Sequence, residues 1–230
     1  MRLIVVVPTY NERQNLAELV ARTLAAAPEA RIVVVDDSSP DGTAAEAQRL
    51  AEGGAPLTVI SRPKKAGLAG AYCAGFDWAT NQDCELVAQL DADLSHDPAE
   101  LPRLVAAGAD LTLGSRYVPG GGVSGWANHR RALSRFGAAY ARRCLGLPQR
   151  DLTGGFKVWR REALQAVLQT PPRADGYAFQ VEMTWRAVRL GLSVVELPIH
   201  FTERQAGASK MSPRIAAEAA WLVPALPWLT

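Results

Sequence analysis

Short continuous apolar runs alternate along this chain with longer stretches in which apolar residues recur every three or four positions. Leu3 to Val7 is β-branched, unbroken and stopped by Pro8, the pattern of a strand buried on both faces. From about Gln14 to Ala27 the residues Leu16, Leu19, Val20 and Leu24 fall on one face of a helix, with Asn11 placed to cap it. Ile32 to Val35 is a second strand. Asp41 then stands where a cap is needed for a helix running to about Ala51. Leu57 to Ile60 predicts a third strand, Gly67 to Thr80 a helix entered through a glycine-rich turn, and Leu86 to Leu90 a fourth strand. Strand and helix alternating in this way predict an α/β fold, a mostly parallel sheet flanked by helices in a single domain.

The second half is less regular. A helix starts near Pro98, and Ala109 to Gly114 reads as a fifth strand leading into Ser115-Arg116-Tyr117. The run Pro119-Gly120-Gly121-Gly122 predicts a mobile loop. From Ala127 to Leu145 a helix carries Arg131, Arg135 and Arg142 on one face and Leu133, Phe136, Tyr140 and Cys144 on the other. Asp151 to Lys157 reads as a loop of small residues, Gly176 to Leu190 as a helix bearing Glu182, and Val194 to Phe201 as the last strand. A basic loop follows, Arg204 to Lys210. The tail from Arg214 is apolar but short and interrupted by Pro224 and Pro227, so it is not expected to span a bilayer. Its Trp221 and Trp228 suit a membrane interface or a helix packed back on the domain. The expected organisation is one domain over 1–212, with a first half (1–95) and a second half (96–212), and an amphipathic segment over 213–230.

Composition changes this picture little. Of 230 residues 48% are hydrophobic and 21% charged, as in an ordinary soluble protein, and the net charge of +2 is too small for a nucleic-acid footprint. Cys73, Cys84 and Cys144 form no C-x-x-C pair, which gives neither a disulfide framework nor a zinc site and fits a reducing compartment. The first residues carry too short an apolar run for a secretion signal.

The candidate chemistry lies where the strands end. Open parallel sheets bind ligands in the crevice beyond the carboxyl ends of their strands. Tyr10 and Glu12 follow the first strand, Asp36 and Asp37 the second, Asp91 and Asp93 the fourth. Asp91 and Asp93 are two apart, so on an extended segment they project to one side, where their repulsion calls for a cation. A hard divalent ion such as Mg²⁺ or Mn²⁺ takes one or two carboxylates and completes its shell with phosphate oxygens. Gly67, Gly70 and Gly75 make neither a dinucleotide fingerprint nor a phosphate-binding P-loop, and close helix packing or a tight turn is their expected use.

Five stretches occur in order: Pro8-Thr9-Tyr10-Asn11-Glu12, Asp36-Asp37-Ser38-Ser39-Pro40-Asp41-Gly42-Thr43, Asp91-Ala92-Asp93-Leu94-Ser95-His96, Gly114-Ser115-Arg116-Tyr117, and Arg204 through Ser209-Lys210. Together they resemble the dolichol-phosphate mannosyltransferases, or polyprenol monophosphomannose synthases, inverting family 2 glycosyltransferases of the GT-A fold. The resemblance covers almost the whole chain. It implies transfer of mannose from GDP-mannose to a polyprenyl phosphate, with Mg²⁺ or Mn²⁺ as cofactor. It implies that Pro8, Tyr10, Glu12, Val35 and Asp37 line the guanosine pocket. Asp91, Ala92 and Asp93 would bind the nucleotide and the metal, Ser95 would complete the metal site, and Arg116, Arg130, Arg204 and Lys210 would surround the phosphates. Asp91, Asp93 and Arg116 are thereby the catalytic candidates. The expected location is peripheral, at the cytoplasmic face of a membrane, reached by surface contact or through a membrane-anchored partner.

This sequence departs from the family in places. Ser95 stands where some relatives have a metal-supporting Gln, and Ala138 and Ala139 where many carry Asn. Some relatives also have transmembrane helices after the catalytic domain. Chemically, a phosphate monoester is largely dianionic at neutral pH and attacks without a general base, whereas a sugar hydroxyl needs one. The second half offers cations and no evident base, since His129 and His200 are lone histidines; this favours a phosphate acceptor. The rival expectations are an enzyme of the same fold using UDP-glucose or UDP-N-acetylglucosamine, and a non-catalytic nucleotide-sugar-binding subunit. A nucleotidyltransferase would instead begin with a glycine-rich, basic phosphate loop.

Overall fold

The computed structural model describes residues 2–204 and 213–229. The first half follows the expected alternation: β1 (Leu3–Thr9), α1 (Arg13–Ala26), β2 (Arg31–Asp36), α2 (Thr43–Glu52), β3 (Leu57–Ser61), α3 (Leu68–Thr80) and β4 (Leu86–Gln89). A 3-10 turn (Pro98–Glu100) leads into α4 (Leu101–Ala106). Then come β5 (Leu111–Ser115), β6 (Gly122–Ser124), α5 (Asn128–Leu145), β7 (Lys157–Arg160), α6 (Arg161–Val167), α7 (Gly176–Arg189), β8 (Val194–Pro198), β9 (His200–Thr202) and α8 (Pro213–Leu229).

Seven strands form one sheet in the order β3-β2-β1-β4-β7-β5-β8. All neighbours are parallel except β7, which runs antiparallel to both β4 and β5. Because successive side chains of a strand face opposite ways, β1 feeds two cores. Leu3, Val5 and Val7 pack with Leu16 and Leu19 of α1 and Leu101 and Leu104 of α4. Ile4 and Val6 pack with Tyr72 and Phe76 of α3, Leu164 of α6 and Phe179 of α7. Gly75 is required where α3 crosses β1: a Cβ there would lie 2.4 Å from Val6 Cγ1 and 3.0 Å from Val35 Cγ2. The expectation of close helix packing at this glycine therefore holds.

Several expectations change. β7 sits inside the sheet, between β4 and β5, yet its first residue closes the stretch that reads as a loop. Lys157 and Gln89 are fully buried polar residues in adjacent strands, and this masks the apolar pattern. They are satisfied internally: Gln89 donates to Gln180 Oε1 at 2.7 Å, and Lys157 Nζ to the Gln180 carbonyl at 2.7 Å and Thr184 Oγ1 at 3.0 Å. Burial lowers the Lys157 pKa to about 7, with Asp151 and Asp91 pulling it back up. α6 was also unforeseen. The single strand expected over Val194 to Phe201 breaks at Ile199, after which β9 leaves the main sheet and pairs with β6 in a two-stranded ribbon.

Asn11 is not the cap of α1. Its φ is +59°, and its amide donates to Ser39 Oγ at 3.0 Å. The start of α1 is capped instead from the loop after β2, where Asp41 Oδ2 accepts from the Arg13 amide at 3.2 Å and Thr43 Oγ1 from the Glu12 amide at 3.0 Å. Asp41 also accepts from the amide and hydroxyl of Thr43, the first residue of α2, but the cap position itself falls to Gly42, whose φ of +86° suits glycine, and not to Asp41 as expected. Burial alone would raise the Asp41 pKa, but these hydrogen bonds more than offset that and hold it below its ordinary value.

The buried residues of α5 are small. Ala138 and Ala141 face inward, whereas Leu133 and Phe136 are 60% and 69% exposed. The small residues let α8 approach: Leu222, Val223 and Leu226 of α8 pack with Ala141, Leu152, Ala178 and Trp185. Tyr140 Oη donates to the Ala220 carbonyl at 2.6 Å. α8 runs continuously through Pro224 and Pro227, so these residues do not interrupt it. Among the described residues no helix is long and apolar enough to cross a membrane.

Candidate active site

The parallel strands β1, β2 and β4 lie side by side and end along one edge of the sheet, so their three acidic loops share a rim. Among the described residues, the three non-glycine residues with positive φ, Asn11, Ser38 and Leu94, fall one in each of these loops. Asn tolerates this conformation; Leu does so at a cost, and strain of this kind concentrates at functional sites. The hollow of about 310 Å³ between Arg2, Glu85, Leu104 and Arg160 opens at the other edge, away from this chemistry.

At the end of β2 the two adjacent acids do different things. Asp36 is buried and ties the turn together, accepting from Thr9 Oγ1 at 2.9 Å and from the amide and hydroxyl of Ser39. Asp37 accepts from Arg62 Nη1 at 2.5 Å and from the Ala66 amide at 3.1 Å. Arg62 is thus a rim residue that the sequence did not single out. Lys65 is another, its Nζ lying 3.8 Å from the centre of the Tyr10 ring. Of the residues expected to line a guanosine pocket, Tyr10 is partly open on the rim. Pro8 is buried in β1, Glu12 is nearly buried and accepts from Asn15 Nδ2 at 2.9 Å, and the Val35 side chain lies wholly in the core. Val35 therefore meets the rim through its backbone, where its carbonyl accepts from Thr9 Oγ1 at 3.5 Å.

After β4, Asp91 is held by Tyr72, whose hydroxyl donates to Oδ1 at 2.9 Å, while His96 Nε2 stands 3.7 Å from Oδ2. Burial raises the Tyr72 pKa far above its ordinary value, and the Asp91 charge raises it further, so the phenol stays protonated and remains a donor. Gly155 lets the backbone approach this carboxylate: a Cβ there would be 2.6 Å from Asp91 Oδ2. Ala92 is buried between the two acids. Asp93 Oδ1 accepts from the Ser95 amide at 3.1 Å, and its Oδ2 lies 3.2 Å from Arg204 Nη2. Ser95 Oγ and His96 Nδ1 are buried without a hydrogen-bond partner among the described residues.

A divalent metal suits this donor set. Two carboxylates and an orphaned buried hydroxyl on one short turn are hard oxygen donors, and a buried polar atom without a partner is costly unless something fills it. Among the described residues no group of three or more His, Cys, Asp and Glu forms an all-protein cage.

The cations of the second half are distributed unevenly. Arg116, at the end of β5, is buried. It donates to both oxygens of Asp151 at 2.7 Å and to Thr153 Oγ1 at 2.9 Å, and it stacks near Tyr117, Trp126 and Phe201. Burial would raise the Asp151 pKa, but the Arg116 charge and hydrogen bonds outweigh it and hold Asp151 below the ordinary carboxylate value. Arg130, at the start of α5, pairs with Glu203 at 2.7 Å and lies 4.3 Å from the Trp126 ring centre. Arg204 reaches Asp93 from the segment after β9. Lys210 lies outside the described residues. Tyr72, Asp151 and Glu203 were missed as site residues because nothing in their local sequence marks them and each acts across the fold; His96 closes the Asp91 stretch, but nothing in that stretch marks its approach to Asp91.

A parallel sheet with paired carboxylates at a strand end and cations facing them is the architecture of a GT-A glycosyltransferase. Residues 4–168 match the model of "Glycosyl transferase family 2", and the chain belongs to that family and is a glycosyltransferase. It is 48% identical over 226 residues to a polyprenol monophosphomannose synthase of Mycolicibacterium smegmatis, covering 96% of this chain and 85% of that protein. It is 44% identical over 221 residues to an undecaprenyl-phosphate mannosyltransferase of Micrococcus luteus, covering 95% and 91%. Among solved structures, glucosyl-3-phosphoglycerate synthase of Mycobacterium tuberculosis, crystallised with Mn²⁺, UDP and its product, superposes with a TM-score of 0.68 at 20% identity, covering 98% of this chain and 78% of that one. The same enzyme with Mg²⁺ and UDP gives a TM-score of 0.67. These structural likenesses establish the shared fold.

Proposed function

We propose that this protein transfers mannose from GDP-mannose to a polyprenyl phosphate, with inversion, using Mg²⁺ or Mn²⁺ held by Asp91 and Asp93 with Ser95 beside them. The observation that carries this reading is the meeting of Asp93 with Arg204 on the rim. It sets a carboxylate pair suited to a metal–pyrophosphate beside a segment bearing phosphate-binding cations. The two mannosyl-transferring relatives, similar over nearly the whole chain, support the choice of sugar and lipid.

Bound at the two carboxylates, the metal would supply charge neutralisation for a departing nucleoside diphosphate. The chain itself does the rest. Tyr72 holds the Asp91 carboxylate in orientation. Asp37, tied to Arg62 and the Ala66 amide, fixes the wall against which the nucleoside rests. Arg130 and Arg204 screen the acceptor phosphate from the donor's pyrophosphate. No proton has to be taken from a dianionic phosphate, and His129 and His200 are both exposed. The acceptor's lipid fits a peripheral position at the cytoplasmic face of a membrane, where exposed Leu133, Phe136, Trp221 and Trp228 would enter the interface.

The test supplies Mn²⁺ or Mg²⁺, a polyprenyl phosphate and radiolabelled GDP-mannose, UDP-glucose or UDP-N-acetylglucosamine in turn, and counts label extracted into organic solvent. Label from GDP-mannose alone is expected. Label from a UDP-sugar alone would overturn the donor, and no label from any donor would overturn the acceptor.

A further inference from the structure

Two ion pairs meet at adjacent residues of one segment. Glu203 binds Arg130 at 2.7 Å, and Arg204 binds Asp93 at 3.2 Å. The backbone that carries them is pinned on both sides: the Thr202 amide donates to the Ser95 carbonyl at 3.0 Å and the Glu203 amide to the Ser124 carbonyl at 3.0 Å. Successive side chains of an extended segment point in opposite directions, so this segment reaches the carboxylate turn with one residue and the head of α5 with the next. Each pair occupies a group that the proposed reaction needs. Asp93 is a candidate metal ligand and Arg130 a candidate phosphate ligand.

We infer that Arg204 and a divalent cation compete for the Asp93 carboxylate, and that Glu203 and a phosphate dianion compete for Arg130, so that residues 203 and 204 form an exchangeable charge latch. This rests on the metal and phosphate roles given above and adds an order to them. A doubly charged ion at Asp93 out-competes a guanidinium of single charge, and the released Arg204 adds its charge to whatever phosphate lies next to it. A phosphate with nearly two negative charges displaces the half-exposed Glu203 carboxylate from Arg130 in the same way. Binding of the metal then favours binding of the phosphate, and by linkage the reverse holds as well. Arg204 is in this sense a positioning residue that passes from one anion to another.

The experiment measures Mn²⁺ binding by the electron paramagnetic resonance of free Mn²⁺, with no nucleotide, sugar or lipid present. The proteins compared are the parent, Arg204→Met, Arg204→Lys and Asp93→Asn. Arg204→Met should bind Mn²⁺ about three- to tenfold tighter than the parent, the scale of a partly exposed ion pair. Arg204→Lys, which keeps the competing charge, should stay within about twofold of it, and Asp93→Asn should lose the binding. In a parallel titration without metal, Glu203→Gln should bind farnesyl phosphate more tightly than the parent. Unchanged or weaker Mn²⁺ binding by Arg204→Met, with binding lost in Asp93→Asn, would overturn the exchange and leave the metal site standing. Parent-like binding by Asp93→Asn would overturn the metal site and the latch with it. Unchanged farnesyl phosphate binding by Glu203→Gln would overturn the second half of the latch.

Discussion

The two halves of the rim are held together in different ways. After β1 and β2 the polar groups close short turns and tie neighbouring loops together: Asp36 accepts from Ser39 three residues on and from Thr9 27 residues back, and Asp37 from Arg62 25 residues on. In the second half the bonds that join the loops span more of the chain. Arg116 and Asp151 are 35 residues apart, and Arg130 and Glu203 are 73 apart. The proposed nucleotide side is therefore a set of prefolded turns on parallel strands. The proposed acceptor side is a set of loops fixed to one another by charge. Turns of the first kind place backbone amides and carboxylates rigidly for a constant ligand. Pairs of the second kind can exchange partners when a charged ligand arrives.

The largest expected effect comes from the point where the halves touch. Asp93→Ala should lower turnover by about a thousandfold, the scale of several kcal/mol of lost charge stabilisation. Circular dichroism should remain that of the parent, since the side chain lies at the rim. Next comes the deepest bond of the acceptor side. Asp151→Asn leaves the buried Arg116 guanidinium without its counter-charge, and thermal or urea unfolding should show a loss of about 3–5 kcal/mol. The Asp151 pKa is lowered on folding, so its contribution is full above the unfolded carboxyl value near 4 and is lost as pH falls towards the folded one. The stability difference between parent and Asp151→Asn should therefore shrink as pH drops below about 4. A constant difference across that range would mean that the pair does not act through charge.

These contrasts also explain what could be read in the sequence. The strands β1, β2 and β4 were legible because they are buried on both faces and appear as apolar runs, and the partly buried edge strand β3 because Leu57, Val59 and Ile60 still mark it. The three acidic clusters were legible because chain order places them at strand ends. β7 was not legible, because Lys157 sits in it and is satisfied by the backbone of α7, a contact with no local signature. The inward face of α5 was not legible for a related reason: periodicity marks the large residues Leu133 and Phe136, whereas the buried residues are Ala138 and Ala141, and Ala141 packs with α8. The direct partners of the site, Tyr72 for Asp91 and Asp151 for Arg116, depend on tertiary proximity alone.

Two smaller effects sharpen the comparison. Tyr72→Phe removes the hydroxyl that orients Asp91 without removing the ring from the core, and Mn²⁺ affinity or activity should fall about tenfold, as for other residues that orient a metal ligand. Replacing Phe136 and Trp228 with Ser should reduce co-sedimentation with anionic vesicles several-fold while leaving stability within about 0.5 kcal/mol, because both side chains are exposed.

The division of labour between the halves is tested most directly by initial rates for Arg130→Gln with GDP-mannose and polyprenyl phosphate varied independently. The account predicts that the KM for polyprenyl phosphate rises about tenfold or more, while the KM for GDP-mannose stays within about twofold of the parent. A rise confined to GDP-mannose would contradict it, and would place Arg130 on the donor side of the rim.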